Sequence, residues 1–253
     1  MTGDDHVLAR DLAGQAARRL LELRAQGGDP DVLRKAGDRL SHEFLTAALA
    51  ALRPGDVVLS EEGADNPARL GARRVWIVDP LDGTREFGEP GRTDWAVHVA
   101  LWESGTKDLT AGAVALPAQG TVLSTLEPPP GPPGDAAAAP LRIVVSRSRP
   151  PSFVRDISGL INAELVPLGS AGAKVAAVVC GEVDAYVHGG GFYEWDTAAP
   201  VAVARAAGLH ASRIDGSALA YNQPDLLMPD ILVCRPAVAG TLLQAIREVT
   251  NAP

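Results

Sequence analysis

One short apolar run constrains the fold of this chain more than any other feature. Residues 75–78 (VWIV) are apolar without interruption, and residues 79–84 (DPLDGT) follow them directly. A continuous apolar run of this length is typical of a strand buried on both faces. Pro80 then removes a backbone donor and stiffens the following turn. Asp79 is therefore predicted at the carboxyl end of a buried strand, where ligand sites tend to lie.

Helices precede this run and further strands follow it. Leucines at helical spacing predict one helix over 5–26 and a second over about 38–52. Turn-rich segments between the later strands indicate an antiparallel meander, after which strands and helices alternate. We therefore expect an α+β/α/β layered sandwich. The predicted strands are 56–60, 74–79, 95–102, 109–116, 121–126, 142–146, 165–168, 184–187 and 231–234, and the later helices are 153–161, 173–181, one after Asp196, and 238–249.

A low-complexity stretch divides the chain. Residues 127–140 (EPPPGPPGDAAAAP) cannot pack a core and are expected to form an exposed loop. We expect a single domain over 1–253, with one lobe at about 1–126 and a second, substrate-binding lobe at 141–253.

The bulk composition argues against several classes of protein. The formal charge of −8 disfavours general nucleic-acid and anionic-membrane binding. No apolar run approaches the ~20 residues that a membrane span needs. The chain opens with Asp4, Asp5 and His6 instead of a basic stretch and an apolar core, so we expect no secretory signal and a cytoplasmic protein.

Acidic residues occur at the ends of predicted strands and at a predicted helix start. Asp79 and Asp82 are three residues apart with the Leu81 carbonyl between them, so their oxygens can converge on a hard cation. Mg²⁺ requires an octahedral shell of oxygens at about 2.0–2.1 Å. Glu61 follows another apolar strand, and Asp196 precedes an alanine-rich helix. These four positions together predict a metal site.

Each of these residues also has a plainer interpretation. Asp82-Gly83 is a common turn pair, and Glu61-Glu62 after a strand would usually be solvated. Asp196 alone is typical of a residue that caps a helix. The coincidence of all the positions favours the metal site over three separate local roles.

A metal site of this kind predicts hydrolysis of a phosphate ester. Two or three Mg²⁺ ions would lower the pKa of a bound water and neutralise the phosphate oxygens and the leaving alkoxide. Gly83 lets a phosphate approach the backbone, and Thr84 supplies a hydroxyl that can orient water. The sequence lacks a Gly-x-x-x-x-Gly-Lys phosphate loop, and neither cysteine is followed by arginine at the spacing of cysteine phosphatases. Asp79 and Asp82 also lack the Asp-x-Asp spacing of dehalogenase-type phosphatases.

Three segments resemble the motifs of the lithium-sensitive, inositol-monophosphatase-like phosphatases in order and spacing. They are residues 61–62 (EE), 76–84 (WIVDPLDGT) and 195–199 (WDTAA). The resemblance implies alternating helical and sheet layers, Mg²⁺ dependence, inhibition by Li⁺ and a possible homodimer. It also implies a set of metal ligands: Glu61, Asp79, the Leu81 carbonyl, Asp82 and Asp196.

The same resemblance implies roles in catalysis and substrate binding. Asp38 would pair with Thr84 to activate water, although Arg34-Lys35 stands where the family usually has Val-Thr. Glu61 and Asp82 join these two as expected catalytic residues. The expected contacts to the substrate phosphate are Glu61, Leu81, Asp82, Gly83, Thr84 and Asp196.

Two later segments resemble the 3′(2′),5′-bisphosphate nucleotidase (CysQ-type) branch. Residues 144–149 (VVSRSR) are similar to its Ser-Arg-Ser segment, in which Arg147 and Ser148 would grip a second phosphate. Residues 169–174 (GSAGAK) are similar to its Gly-Ser-x-x-Lys loop, with one residue more between Ser170 and Lys174. A helix that begins there would direct amides at an anion. Without the motifs, these cationic side chains would be ordinary surface charges.

The branch implies removal of the 3′-phosphate from 3′-phosphoadenosine 5′-phosphate, with its sulfated precursor as a second candidate substrate, giving AMP or the 5′-phosphosulfate in sulfur assimilation. The alternative is the same chemistry on inositol monophosphate or fructose 1,6-bisphosphate. A catalytically silent metabolite-binding relative is the third hypothesis. Intact residues at all five metal positions disfavour it.

Overall fold

The computed structural model describes residues 2–131 and 140–250. Its helices are α1 (Thr2–Ala25), α2 (Pro30–Leu52), α3 (Thr84–Gly88), α4 (Ser152–Ile161), α5 (Ala171–Val179), α6 (Glu194–Ala206) and α7 (Pro236–Thr250). Its strands are β1 (Val57–Ser60), β2 (Arg74–Asp82), β3 (Ala96–Glu103), β4 (Asp108–Leu116), β5 (Thr121–Ser124), β6 (Arg142–Ser146), β7 (Glu164–Leu168), β8 (Ala185–His188), β9 (Phe192–Tyr193), β10 (His210–Ser212), β11 (Leu227–Met228) and β12 (Ile231–Cys234).

Two five-stranded sheets alternate with three helical layers. The first sheet has the order β1-β2-β3-β4-β5, in which β1 and β2 are parallel and the other pairs antiparallel. The second has the order β10-β12-β8-β6-β7. Helices α1 and α2 cover the outer face of the first sheet, α5 and α6 fill the space between the sheets, and α4 and α7 cover the outer face of the second. The predicted layered sandwich is confirmed.

Side-chain alternation along β2 builds two cores from one strand. Val75 and Ile77 pack in the core between the sheets, while Trp76 and Val78 pack against α1 and α2. All four side chains are fully buried, as the uninterrupted apolar run predicts. Each such side chain contributes about 1.5–3 kcal/mol on burial, so this strand anchors both layers.

The second helix begins two turns earlier than the sequence pattern predicts. Asp29 caps it, because its carboxylate accepts from the backbone N–H groups of Asp31 and Val32, and Pro30 occupies the first turn. The prediction of a start near Asp38 is therefore wrong, and Asp38 lies well inside α2. The pattern failed there because the first two turns expose most of their side chains.

The predicted loop at 127–140 falls largely outside the described residues. The division into two lobes stays a prediction, and α6 from the second half packs directly on β3 and β4 of the first sheet. Among the described helices, none combines the length and the apolar character required to cross a membrane.

Candidate active site

Asp79 and Asp82 share one face of the first sheet because β2 carries a bulge between them. Asp79 pairs with His98 and Asp82 pairs with Ala96, so three steps along β2 match two steps along β3. In a regular strand, residues three apart point to opposite faces. The extra residue returns both carboxylates to the face that meets α5 and α6. Pro80 lies within the bulge, where a missing backbone donor interrupts no regular ladder.

Three carboxylates converge beside this bulge. Asp79, Asp82 and Asp196 each offer one oxygen, and the three oxygens lie within 4.8 Å of one another. Asp79 is 1% exposed and Asp82 is 7% exposed. Among the residues that the structure describes, Asp79 Oδ2 has no hydrogen-bond partner. Buried, unbalanced oxygens of this kind are the donor set of a hard divalent cation, so these residues fit the predicted metal site.

The cluster holds protons when no cation balances it. Burial, together with the charges of Glu61 and Asp82, raises the pKa of Asp79 well above its ordinary value. Glu61 keeps an exposed surface, yet desolvation of its carboxyl and the charge of Asp196 raise its pKa to about 7. Burial and the charge of Asp82 raise the pKa of Asp196 to about 6. A cation that binds here must displace these protons.

Asp82 differs from its neighbours because donors surround it. Its two carboxylate oxygens accept from the backbone N–H groups of Ala171 and Gly172, at 3.2 and 2.6 Å. Burial alone would raise the pKa of Asp82, but the charges of His98 and Lys174 and the Gly172 amide lower it. His98 on β3 and the start of α5, with its positive helix end, therefore keep this carboxylate ionised together.

Asp196 combines the two roles that the sequence left open. It is the third residue of α6, and its Oδ2 accepts from the Tyr193 N–H, so it caps the helix. It also contributes an oxygen to the carboxylate cluster. The helix start thus orients the carboxylate toward Asp79 and Asp82.

The structure brings Asp38 of α2 to the turn after β2. Thr84 Oγ1 lies 3.2 Å from Asp38 Oδ1 and 3.1 Å from the Leu81 carbonyl oxygen. Burial and the charge of Glu62 raise the pKa of Asp38 to about 6. Gly83 makes this turn with a φ of 83°, and a Cβ there would lie 2.9 Å from Ser170 Cβ. Only glycine suits both the conformation and the space.

Ser170 and Lys174 lie at the start of α5. The Ser170 hydroxyl caps the helix by accepting from the Ala173 N–H. Lys174 is 4% exposed, and its ammonium donates to the carbonyl oxygens of Gly169 and Ser170. Burial lowers the pKa of Lys174. Both residues therefore face the carboxylate cluster from fixed positions.

A cavity of about 1070 Å³ extends from the carboxylates toward the second sheet. Ser148, Ser170 and Lys174 line it, as do Arg149 and Ser146. Its remaining wall consists of residues from the turn after β2, the 148–151 segment, α5 and the strands β8 and β9: Asp82, Gly83, Thr84, Arg85, Glu86, Pro151, Gly169, Ala171, Tyr186, His188, Gly189, Gly190, Gly191, Phe192 and Asp196.

Arg147 does not line this cavity. Its guanidinium forms ion pairs with Glu86 at 2.6 Å and Glu89 at 2.7 Å. These two carboxylates hold the side chain against the turn that follows β2. Arg149, two residues later, occupies the cavity wall instead. The Arg147 guanidinium thus contacts acidic side chains in this structure, and its contact with a second phosphate stays a prediction.

Several residues in and beside the cavity carried no distinct sequence signal. His98 is fully buried beside Asp82, and only its alternation with Ala96 along a predicted strand pointed to that face. His188 and Phe192 pack against each other at 5.1 Å between ring centroids, on either side of a run of three glycines. A run of glycines is typical of a turn and gives no hint of a cavity wall.

Comparison with known proteins agrees with this architecture. The chain is 51% identical to a protein of Mycobacterium leprae named 3′-phosphoadenosine 5′-phosphate phosphatase, covering 97% of this chain and 94% of that protein. It is 32% identical to the 3′(2′),5′-bisphosphate nucleotidase CysQ of Escherichia coli K12, over 74% of this chain and 78% of that protein. The crystal structure of CysQ from Bacteroides thetaiotaomicron superposes with a TM-score of 0.78 at 28% identity, covering 92% of this chain and 97% of that one.

The match to a protein family spans almost the full length. The sequence model of the inositol monophosphatase family matches residues 8–251 and so includes every residue of the carboxylate cluster. With both the sequence motifs and the layered fold in agreement, the chain belongs to the inositol monophosphatase family.

Proposed function

We propose that this protein is a Mg²⁺-dependent phosphatase that removes the 3′-phosphate of 3′-phosphoadenosine 5′-phosphate. The observation that carries the proposal is 51% identity, over nearly the whole chain, to a protein named for that activity. The buried carboxylate cluster supports it, because a phosphatase of this family depends on such a cluster. The reaction consumes one water and yields AMP and inorganic phosphate.

The carboxylates at one end of the cavity are the proposed ligands of two or three Mg²⁺ ions. When bound, these ions supply a lowered pKa for the attacking water and neutralise charge on the phosphate and the leaving oxygen. Asp79 and Asp82 present their oxygens from the β2 bulge, and Asp196 presents its own from α6. Glu61 and the Leu81 carbonyl are the remaining proposed ligands.

Asp38 and Thr84 are the proposed pair that orients the attacking water. The Thr84 hydroxyl donates a hydrogen bond to the Asp38 carboxylate. The lone pairs of the Thr84 oxygen are then free to accept a hydrogen bond from the water. Water then attacks phosphorus opposite the 3′-oxygen of the ribose. The bond from phosphorus to that oxygen breaks, the attacking water gives up one proton as its oxygen bonds to phosphorus, and the departing alkoxide takes up one proton.

The end of the cavity away from the carboxylates can bind the second phosphate and the base of a nucleotide bisphosphate. Arg149 and the hydroxyls of Ser146 and Ser148 provide donors for a second phosphate, and Arg matches phosphate geometry bidentately. His188 and Phe192 offer ring surface for a planar base. An inositol monophosphate has neither a second phosphate nor a base to use these groups, which favours the nucleotide.

A panel of substrates tests the proposal. The kcat/KM of the purified protein with Mg²⁺ is measured for 3′-phosphoadenosine 5′-phosphate, its 5′-phosphosulfate analogue, inositol 1-phosphate and fructose 1,6-bisphosphate. We expect the adenosine bisphosphate to exceed inositol 1-phosphate at least about tenfold, since its second phosphate adds a charge-assisted contact worth about 1.5–3 kcal/mol. It should also exceed fructose 1,6-bisphosphate, which has a second phosphate but no base to contact His188 and Phe192. Equal or greater kcat/KM for inositol 1-phosphate would overturn the substrate assignment. Clearance of the bisphosphate by-product of sulfur assimilation is the role that the expected result supports.

A further inference from the structure

His98 is a histidine buried at the edge of the carboxylate cluster. It lies on β3, opposite the β2 bulge, and is 0% exposed. Its Nε2 lies 3.2 Å from Asp82 Oδ2, and its Nδ1 lies 3.1 Å from the carbonyl oxygen of Trp195. One ring therefore contacts both segments that supply the clustered aspartates, the bulge of β2 and the start of α6.

Both partners of the ring are hydrogen-bond acceptors. A carboxylate oxygen and a backbone carbonyl oxygen donate nothing, so each needs a donor or a cation. The Nδ1 of His98 forms the hydrogen bond to the Trp195 carbonyl oxygen, and its Nε2 contacts Asp82 Oδ2 at ion-pair distance without hydrogen-bond geometry. An apolar side chain of the same size would lose both contacts, although Asp82 would keep the backbone N–H groups of Ala171 and Gly172 as donors.

Close packing leaves the ring no freedom to move away. A Cβ on Gly172 would lie 2.2 Å from His98 Nε2 and 3.0 Å from Ala96 Cβ, so the start of α5 touches the histidine. The Gly172 N–H donates to the same Asp82 oxygen that faces His98. Asp82 is thus confined between a helix start and the imidazole.

A cation site formed by separate elements needs its ligands at fixed spacing. Asp82 is on β2 and Asp196 is on α6, and two carboxylates at this distance repel each other. The bulge, where regular pairing is interrupted, offers Asp82 less backbone support than a regular strand. His98 contacts both Asp82 and Trp195, the residue before Asp196. These contacts hold the two carboxylates together against their mutual repulsion.

We propose that His98 is a positioning residue that ties Asp82 to the start of α6 and so holds the cation ligands at binding distance. It acts through Asp82 and Asp196 and touches no reacting atom. The proposal rests on the cation-dependent activity proposed above and adds a residue to it. Groups that orient metal ligands typically change metal affinity by about 10–100-fold when removed.

Three substitutions separate the two contacts. H98Q places an amide nitrogen near the position of Nε2 and keeps a donor for Asp82. H98N places one near the position of Nδ1 and keeps a donor for the Trp195 carbonyl. H98L keeps the bulk and loses both donors. H6L is the matched control, because His6 also forms a side-chain hydrogen bond, to Thr125, but lies on α1 away from the carboxylates.

Isothermal titration calorimetry with Mg²⁺ alone provides a readout that is independent of turnover. We expect H98L to weaken Mg²⁺ binding by at least about tenfold, and each amide variant by at least about threefold. At saturating Mg²⁺, kcat for the bisphosphate should fall in all three while KM stays within about twofold. A purely structural role would lower Tm and leave Mg²⁺ affinity unchanged, as we expect for H6L.

The outcomes distinguish this proposal from the proposed function. If the wild-type protein binds no Mg²⁺ and hydrolyses no phosphate ester, the proposed function fails. If the wild-type protein binds Mg²⁺ and H98L binds it equally well, only the role of His98 fails. Should H98L not fold, wild-type Mg²⁺ affinity in either H98Q or H98N would still overturn the proposal, because each variant keeps one contact of two.

Discussion

The Thr84 hydroxyl lies 3.2 Å from Asp38 Oδ1, and this contact joins the turn after β2 to the middle of α2. The two residues are 46 positions apart in the chain, so the packing of α2 on the first sheet is what creates the pair. Because Asp38 contributes no oxygen to the cluster of Asp79, Asp82 and Asp196, its function can be separated from cation binding.

We expect D38N to lower kcat by about 10²-fold, since a positioned proton acceptor typically contributes 10²–10⁴-fold. Mg²⁺ affinity should remain within about twofold of wild type. T84A should match D38N, and T84S, which keeps the hydroxyl, should recover most of the activity. Steady-state kinetics and calorimetry on the three variants check this. A D38N enzyme with near-wild-type kcat would remove Asp38 from the mechanism.

Gly172 provides a test of the packing at the start of α5. A G172A side chain would meet His98 Nε2 at 2.2 Å and Asp82 Oδ2 at 3.2 Å. We expect a loss of about 1–3 kcal/mol in the free energy of unfolding, as for other overpacked sites, together with weaker Mg²⁺ binding. Chemical denaturation measures the first and calorimetry the second.

The matched control for G172A is G240A in α7. Apart from its chain neighbours and the helix backbone, no atom of the described residues lies within 4 Å of a Cβ at Gly240, so alanine should stabilise the helix by about 0.5–1 kcal/mol. If both substitutions changed stability in the same direction, steric contact at Gly172 would no longer explain the effect.

The raised pKa values of Glu61 and Asp196, about 7 and about 6, predict how pH affects the protein without cations. Their ordinary values are 4.5 and 3.8, so the folded protein binds more protons than the unfolded chain between those values and the raised ones. The free energy of unfolding therefore falls as the pH rises through that window.

Mg²⁺ should offset this loss by replacing the protons, and it should bind more tightly at higher pH. We expect the increase in Tm on addition of Mg²⁺ to be larger at about pH 8 than at about pH 5.5. Scanning calorimetry with and without Mg²⁺ measures it. An equal increase at both pH values would indicate that protons and Mg²⁺ do not compete for the cluster.

Substitutions of Arg147 and Arg149 should differ in their effect on substrate binding. Arg149 lines the cavity, whereas Arg147 is paired with Glu86 and Glu89. We expect R149M to raise the KM for the bisphosphate by about tenfold or more, because a charge-assisted contact to the second phosphate is lost. R147M should raise it less. Neither should change the KM for a simple phosphate monoester that lacks a second phosphate. A larger effect of R147M would return the second-phosphate role to that residue.

Much of the fold was predictable because local patterns and tertiary packing agree. The apolar run at 75–78 became a strand buried on both faces, and the meander of β3, β4 and β5 formed where turn residues separated the strands. The start of α2 was missed because Asp29 and Pro30 mark it, while its first turns have no apolar stripe. A cap and a proline determine that boundary, and hydrophobic periodicity does not report them.

The candidate site was predictable in its acidic residues and not in their geometry. Residues 79–84 indicated a turn, whereas β2 continues to Asp82 through a bulge that sets the facing of both aspartates. Bulges depend on the partner strand, so a single strand's sequence does not reveal them. The contact of His98 with Asp82 follows from that register, and the diversion of Arg147 follows from Glu86 and Glu89, which lie about 60 residues away in sequence.

The products formed from 3′-phosphoadenosine 5′-phosphate test the central claim most directly. The purified protein is incubated with the bisphosphate and Mg²⁺, and the phosphorus NMR spectrum of the mixture identifies the products. We expect inorganic phosphate together with 5′-AMP, formed only when Mg²⁺ is present and absent with D82N. Release of the 5′-phosphate to give 3′-AMP, or no phosphate release at all, would contradict it.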